Sequence, residues 1–491
     1  MNEQSKTLYN AAADNFRKLP ARTLGIAFFL GGAIIAASIL LGRSYAFYIS
    51  VLAFAVFITL LWRKNPLPWI FLASIAAATP IPLFRQQFAC NLIFAACFML
   101  VGMWHLTRLP KWIYALAGLI IIGFVTSAVN WLSGNVVGSV MRQSAYFLNF
   151  GLAPLILVPM IYVRMKESRN YQANLLGLLY FLILPSTVIL LTAKLFGTEA
   201  NAWQASLHGA SGAEGYIDYS LGKIIVDFSR TGVGFILAVL ICASAAVTVL
   251  QVKLRERLIA GACLAMNVYL LLASGSFGSM LAVLCGLIAM FYAQVRKVRI
   301  TKVIASVTVV CCMLLFMFAI SPSSTKEYLG KRFEHRVVNV ADADRFTLWS
   351  RAVDYILEYP MGVGLTYMVG DKVKTHPHNE YLVYAVSYGI LGGLAYPFLV
   401  VGLLFSFFIR RKRVINDPEA LAVYLAGLGV TVAVAVNSMT DNVGVNRWYF
   451  NIMWSLIWYC YFCSLAGQAV INREVLTSKT AVAGTTEARL K

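Results

Sequence analysis

The stretch His376-Pro377-His378-Asn379-Glu380-Tyr381-Leu382 joins the polar segment 322–379 to an apolar run that continues to residue 408. It sets a titratable imidazole where water gives way to an apolar phase, and the rest of the chain is read outward from it. Imidazole takes or gives a proton near neutral pH without special tuning. The other apolar runs end in short turns or in clusters of Lys and Arg.

Those runs set the class. The 491 residues are 60% hydrophobic and 13% charged, with a mean hydropathy of +0.73, whereas a soluble domain carries about 25% charged residues. Runs of roughly twenty apolar residues, enough to cross a bilayer as helix, recur from end to end. The chain reads as an all-α, polytopic integral membrane protein of about 12–14 spans. Counted as fourteen, they fall at 24–41, 45–62, 68–84, 88–104, 112–130, 144–163, 174–195, 231–250, 258–275, 278–295, 303–321, 380–408, 419–438 and 448–467. The shortest turns, 42–44 and 276–277, are the places where two spans could merge. No cleavage site follows the run that begins near Leu24, so it reads as a retained first helix.

The formal charge of +20 raises nucleic acid as a partner, and its distribution argues against one. Most basic residues stand in short clusters between spans: Arg63-Lys64, Arg108/Lys111, Arg164/Lys166/Arg169, Lys253/Arg255/Arg257, Arg296/Lys297/Arg299/Lys302 and Arg410 to Arg413. That is the positive-inside bias of short cytoplasmic loops. With a cytoplasmic N-terminus, alternation puts every cluster inside and the two long polar loops outside. The expected organisation is a cytoplasmic segment 1–23, a transmembrane bundle 24–195, a periplasmic loop 196–230, helices 231–321, a large periplasmic loop 322–379, C-terminal helices 380–467 and a disordered tail 468–491. No internal repeat is visible, which weighs against a transporter built from halves.

The nine cysteines (Cys90, Cys97, Cys242, Cys263, Cys285, Cys311, Cys312, Cys460, Cys463) all lie in apolar segments. They imply no disulfide framework. Cys460 and Cys463 read as small helix-packing residues rather than as a metal pair.

The outward loops carry the chemistry-bearing residues. The first holds Trp203, His208, Tyr216 and Tyr219 and ends at Arg230; the second holds Arg332, Arg336, Arg345, Trp349 and His378. Within it, Arg345 to Glu358 reads as an amphipathic helix with Phe346, Trp349, Val353, Ile356 and Leu357 on one face. Pro360-Met361-Gly362-Val363-Gly364 ends it, and the helix is expected to lie on the membrane surface. Guanidinium groups offer paired donors that match phosphate oxygens, and flat aromatic faces suit sugar rings. Taken singly, an outward arginine is more often a solvated or lipid-headgroup contact, and His378 is equally a capping or packing residue. His376 and His378 supply only two ligands for a metal, so no metal site is expected.

With these residues in view, the chain resembles the O-antigen ligases and O-antigen or exopolysaccharide polymerases of bacterial envelopes. Their signature is His, then Asn, Ser or Gln, nine residues, Gly, two residues and a small residue. His378-Asn379, Gly389 and Gly392 match every position, and Arg345-x3-Trp349 with Pro360-x-Gly362-x-Gly364 is similar to the family's approach to it. The resemblance covers about 230–460. It implies metal-independent, cofactor-free glycosyl transfer at the periplasmic face of the bacterial inner (cytoplasmic) membrane. The donor would be a glycan on undecaprenyl diphosphate, and the acceptor a sugar hydroxyl on lipid A-core or a growing polysaccharide. His378 would be the base, and Arg230, Arg332, Arg336 and Arg345 would hold the diphosphate. Asn379, Gly389 and Gly392 would be supporting motif residues, the glycines permitting close helix packing. One departure stands out: members often carry Ser-Arg-Gly at the start of the span that precedes the long loop by one helix, and here the stretch is Ser276-Phe277-Gly278. Ligase and polymerase stay open as readings, as does a ligase acting on protein. A lipid-linked oligosaccharide flippase fits less well, because it would bury charges within its spans.

Overall fold

The computed structural model describes residues 108–132, 147–167, 171–191 except 185 and 189, 230–249, 254–294, 344–364, 377–415, 418–440 and 453–465. These residues form helices and turns. A chain in lipid has to satisfy its peptide groups within each segment, and helix does so without a partner strand. The principal helices are α1 (Lys111–Leu132), α2 (Arg230–Val249), α3 (Leu254–Ser274), α4 (Phe277–Gln294), α5 (Asp344–Glu358), α6 (Glu380–Val414), α7 (Pro418–Thr440) and α8 (Met453–Leu465). Five of the described helices, α1, α3, α4, α6 and α7, are long and apolar enough to cross a membrane.

Helix α2 forms the centre. It is buried along almost its whole length, from Val233 to Val247, and packs against α3, α4 and α7. Helix α8 is equally buried and fills its surroundings with Trp454, Trp458, Tyr459, Tyr461 and Phe462. Small residues bring the helices close: Gly286 of α4 lies against Cys242 of α2 and Gly429 of α7, and Gly427 against Phe407 and Cys460. Cys463 accepts a hydrogen bond from Asn174 Nδ2 at 3.4 Å, so this cysteine pair packs helices, as its setting in the sequence suggests.

Two expected spans are irregular. The 144–163 run is a wide π-helical stretch, Phe147–Leu157, followed by the short helix Val158–Tyr162. Pro154 sits inside it. Proline has no N–H to continue the ladder and clashes with the preceding turn, and the Pro154 carbonyl accepts the indole N–H of Trp458 at 2.7 Å. The 174–195 run begins as Tyr171–Leu178 and widens at Leu179–Ile183. The spans expected at 24–41, 45–62, 68–84, 88–104 and 303–321 lie outside the described residues. The doubtful turn at 276–277 is a true reversal: Gly275 takes a left-handed φ of 61° between α3 and α4, and its N–H bonds the Leu272 carbonyl.

The helix ends sort into two layers. Helix α4 runs antiparallel to α7, since Gly278 meets Thr440 while Gly286 meets Gly429. Helix α1 runs antiparallel to α6, since Trp112 meets Gly402 while Gly123 meets Gly392. One layer collects Lys111, Gln294 and Val414; the other collects Leu132, Arg230, Ser274, Phe277 and Thr440. Basic residues hold the first layer together. Arg411 donates to the carbonyls of Ala293 (3.1 Å) and Tyr292 (3.0 Å) at the C-terminal end of α4, where a cation is favoured. Arg410 lies 4.1 Å over the Tyr461 ring, and Lys166 donates to the Arg108 carbonyl.

Candidate functional site

Helix α6 departs from the sequence expectation of one continuous span over 380–408. At 1.5 Å per residue its 35 residues would extend about 52 Å, against about 30 Å of hydrocarbon. The excess is removed at Gly389, whose φ of 70° and ψ of −176° break the helix. The piece before the break folds back on the piece after it. Ala385 and Gly393 would be about 12 Å apart along a straight helix, yet a Cβ at Gly393 would lie 2.5 Å from the Ala385 Cα. Tyr381 and Tyr396 would be about 22 Å apart along the axis, yet their ring centroids are 5.4 Å apart. Nested pairs of this kind describe a helical hairpin with Gly389 at its tip.

The tip is stitched to the Pro360–Gly364 segment that follows α5. The Ile390 N–H, which an unbroken helix would send to Val386, goes to the Pro360 carbonyl at 3.0 Å. The Val386 carbonyl takes the Val363 N–H and the Ser387 carbonyl takes the Gly364 N–H, each at 2.9 Å. Helix α1 completes the accounting, with Asn130 Nδ2 donating to the Gly362 carbonyl at 2.6 Å and Thr126 Oγ1 to that of Met361 at 3.4 Å. A buried polar group left without a partner costs about 2–7 kcal/mol, so the strap and the break require each other. Gly392 packs against Gly123 of α1, the close helix contact expected of it. Gly389 instead makes the break, because only a residue without Cβ tolerates that φ beside another backbone.

Below the tip, α5 lies along the first piece of α6. Ala352, Val363 and Val386 form a small apolar core with Tyr355, Ile356, Tyr359 and Leu382 around it. The apolar stripe expected on α5 therefore splits: Trp349 and Ile356 turn inward, while Val353 and Leu357 are exposed together with Met361. Ile390, Leu391 and Leu394 of α6 are exposed as well, as apolar side chains bedded in the edge of a bilayer would be.

His378 stands immediately before α6 and is the one non-glycine residue with positive φ among those described, at 49°. Its backbone is fixed on both sides. Asn379 is extended (φ −152°, ψ 113°) and caps the helix, its Oδ1 accepting the N–H groups of Tyr381 at 3.0 Å and Leu382 at 3.3 Å. On the other side, the indole N–H of Trp349 donates to the Pro377 carbonyl at 2.7 Å. The side chain of His378 is half-buried, and Glu380 beside it is 1% exposed.

Folding back brings this loop to the ends of α4 and α7 at which Phe277 and Thr440 lie. Tyr381 Oη donates to the Ala435 carbonyl at 3.1 Å, and the Tyr396 and Ser438 hydroxyls are 2.8 Å apart. One residue earlier on α7, Asn437 shares a hydrogen bond with Ser279 of α4 at 3.3 Å, and Ser279 meets Ser276 at 2.9 Å. Gly234, in the first turns of α2, packs against both serines. Arg230 opens α2 and Arg345 stands in the first turn of α5, so the start of α2 and the loop of His378 share one end of the bundle. Phe277, in the place where the resembling proteins often carry arginine, opens α4 at that same end. Arg332, Arg336 and His376 lie outside the described residues.

Sequence reasoning missed the Trp349–Pro377 bond, the Asn130 tether and the tyrosines that seat the hairpin. The signal for the last was available, since Tyr381, Tyr384, Tyr388 and Tyr396 put an uncommon number of hydroxyls into one apolar run.

Residues 261–397 match the family model described as O-antigen ligase. The matched stretch holds most of α3, all of α4 and α5, the 360–364 strap, the His378 loop and the hairpin of α6. No curated protein matches the chain.

Proposed function

We propose, on the footing of the O-antigen ligase family domain at 261–397, that this membrane protein is a glycosyltransferase acting at the periplasmic face of the inner membrane. It would move a glycan from undecaprenyl diphosphate to a sugar hydroxyl in lipopolysaccharide or exopolysaccharide assembly. The observation that carries the reading is His378, held in a left-handed backbone conformation between a helix cap and an indole clamp. Strain of about 1–3 kcal/mol persists only where surrounding contacts determine it, and it collects at functional sites.

In the step, the His378 imidazole takes the proton of the acceptor hydroxyl as that oxygen bonds the anomeric carbon of the donor sugar. The bond from that carbon to the diphosphate oxygen breaks, and undecaprenyl diphosphate leaves with the electron pair. Arg230 and Arg345, with Arg332 and Arg336 of the same long loop, would hold the departing charge, so the step as written uses no metal ion. The loops 196–230 and 322–379 are the periplasmic parts of this scheme.

Within this proposal a repeat-unit polymerase stands beside a ligase, and Phe277, which opens α4 where members of the resembling family often carry arginine, does not separate them. Glycan profiling of a strain lacking the protein tests both. A ligase predicts lipid A-core devoid of polymer, and an O-antigen polymerase predicts lipid A-core carrying a single repeat. An unchanged envelope glycan would sink both readings.

A further inference from the structure

We infer that Trp349 is a positioning residue, which holds His378 in its working conformation by clamping the carbonyl of the residue before it. The inference rests on the reading of His378 as the base. Its physical grounds are four. The indole N–H reaches the Pro377 carbonyl at 2.7 Å across a separation of 28 residues. Pro377 is buried, and its ring fixes its own φ, so the carbonyl is the handle by which the next peptide plane can be turned. His378 follows with φ 49°, a conformation that is unfavourable for a residue with a Cβ. The helix cap by Asn379 fixes only the C-terminal side of that residue. Without the indole, His378 can relax to a right-handed or extended backbone, which swings the imidazole away from the acceptor.

The bond also ties the site to α5. That helix is anchored at its far end by the strap at the hairpin tip and is seated through Ala352 and Ile356. Trp349 is thus the point at which a rigid, doubly held helix sets the register of the His378 loop. An aromatic ring alone would satisfy the packing; the N–H is what the loop requires.

The test uses the full-length protein in proteoliposomes with a lipid-linked glycan donor. Two variants separate the bond from the packing: Trp349→Phe, and replacement of Trp349 by 3-benzothienylalanine, which keeps the bicyclic shape and puts sulfur in place of N–H. Both should lower kcat by on the order of ten- to a hundredfold, the loss expected when a reacting group is misplaced by about an ångström. The KM for the donor should stay within about twofold, since the ring is retained and only orientation is lost. An unchanged kcat in the benzothienyl protein overturns the inference. So does a rise in KM alone, or loss of both variants from the membrane, either of which makes Trp349 a binding or packing residue. His378→Ala, assayed alongside, separates this from the catalytic reading. Activity there removes the base itself, whereas an inactive His378→Ala with an undiminished benzothienyl variant removes only the role of Trp349.

Discussion

Gly362 and Gly389 stand back to back, both left-handed, with φ of 85° and 70°. A Cβ on Gly389 would lie 2.5 Å from the Pro360 carbonyl oxygen, and one on Gly362 would lie 2.7 Å from that of Ser387. Each glycine makes room for the backbone of the other, and the hydrogen bonds on either side hold strap and hairpin together.

Alanine at either position should therefore unseat the hairpin. The left-handed backbone alone costs about 1–2 kcal/mol, and the overlaps with backbone atoms add to it. Gly389→Ala and Gly362→Ala should each reduce glycan transfer by about tenfold or more and lower the temperature of inactivation. Gly118→Ala, which meets open space on α1, is the matched control. Transfer in membranes normalised for protein level reads this out, and parental activity in both variants would contradict the hairpin.

His378→Ala should abolish transfer while leaving membrane insertion intact, and His376→Ala should be mild. The difference follows from the backbone: His378 is bracketed by the Trp349 bond and the Asn379 cap, whereas His376 stands one residue beyond Pro377. Complementation of a deletion strain, scored by envelope glycan, is the measurement. Near-normal glycan with His378→Ala, or a dead His376→Ala, reverses the assignment.

Arg230→Ala and Arg345→Ala should each impair use of the diphosphate donor, and Arg447→Ala less so. Arg230 begins α2 at the end of the bundle where the His378 loop sits, and Arg345 stands in the first turn of α5, whose Trp349 bonds that loop. A charge-assisted contact contributes about 1.5–3 kcal/mol, so losses of about ten- to a hundredfold in kcat/KM are expected. Lysine should restore little, because it keeps the charge and loses the paired geometry. Full activity in both alanine variants would take these residues out of the site.

The distribution of Lys and Arg sets a sidedness. Reporter fusions at Ala341 and Asp417 should report opposite compartments, Ala341 periplasmic and Asp417 cytoplasmic. The same compartment at both positions would break the alternation of spans on which the scheme rests.

Much of this fold is legible in the chain. Helix α5 is read within a residue of its start because its polar and apolar residues alternate with helical period between Asp344 and Pro360. The paired ends of α3, α4 and α7 follow from apolar length and basic punctuation. The hairpin is not read, because hydropathy is blind to direction: the apolar run from Tyr381 onward looks the same whether it climbs or returns. Gly389, Gly392 and Gly393 look alike in sequence, and only φ tells the residue at the break from those at a helix contact. A hint lay in the length, since an apolar run reaching from 380 to 408 already exceeds what about 30 Å of hydrocarbon needs. The Trp349–Pro377 bond leaves no local trace, because its partners are 28 residues apart.

The reversal at Gly389 also orders how the protein is made. The stretch from Ile390 to Val414 is on the order of 37 Å long at 1.5 Å per residue, sufficient to enter the bilayer by itself with Arg410 to Arg413 as its stop. The preceding turns carry Glu380, and they are seated against α5, the strap and Ala435 of α7. Helix α7 is synthesised after α6, so the nascent chain lacks part of the cradle that receives its own histidine. The hairpin reaches its full set of contacts only once α7 is in place.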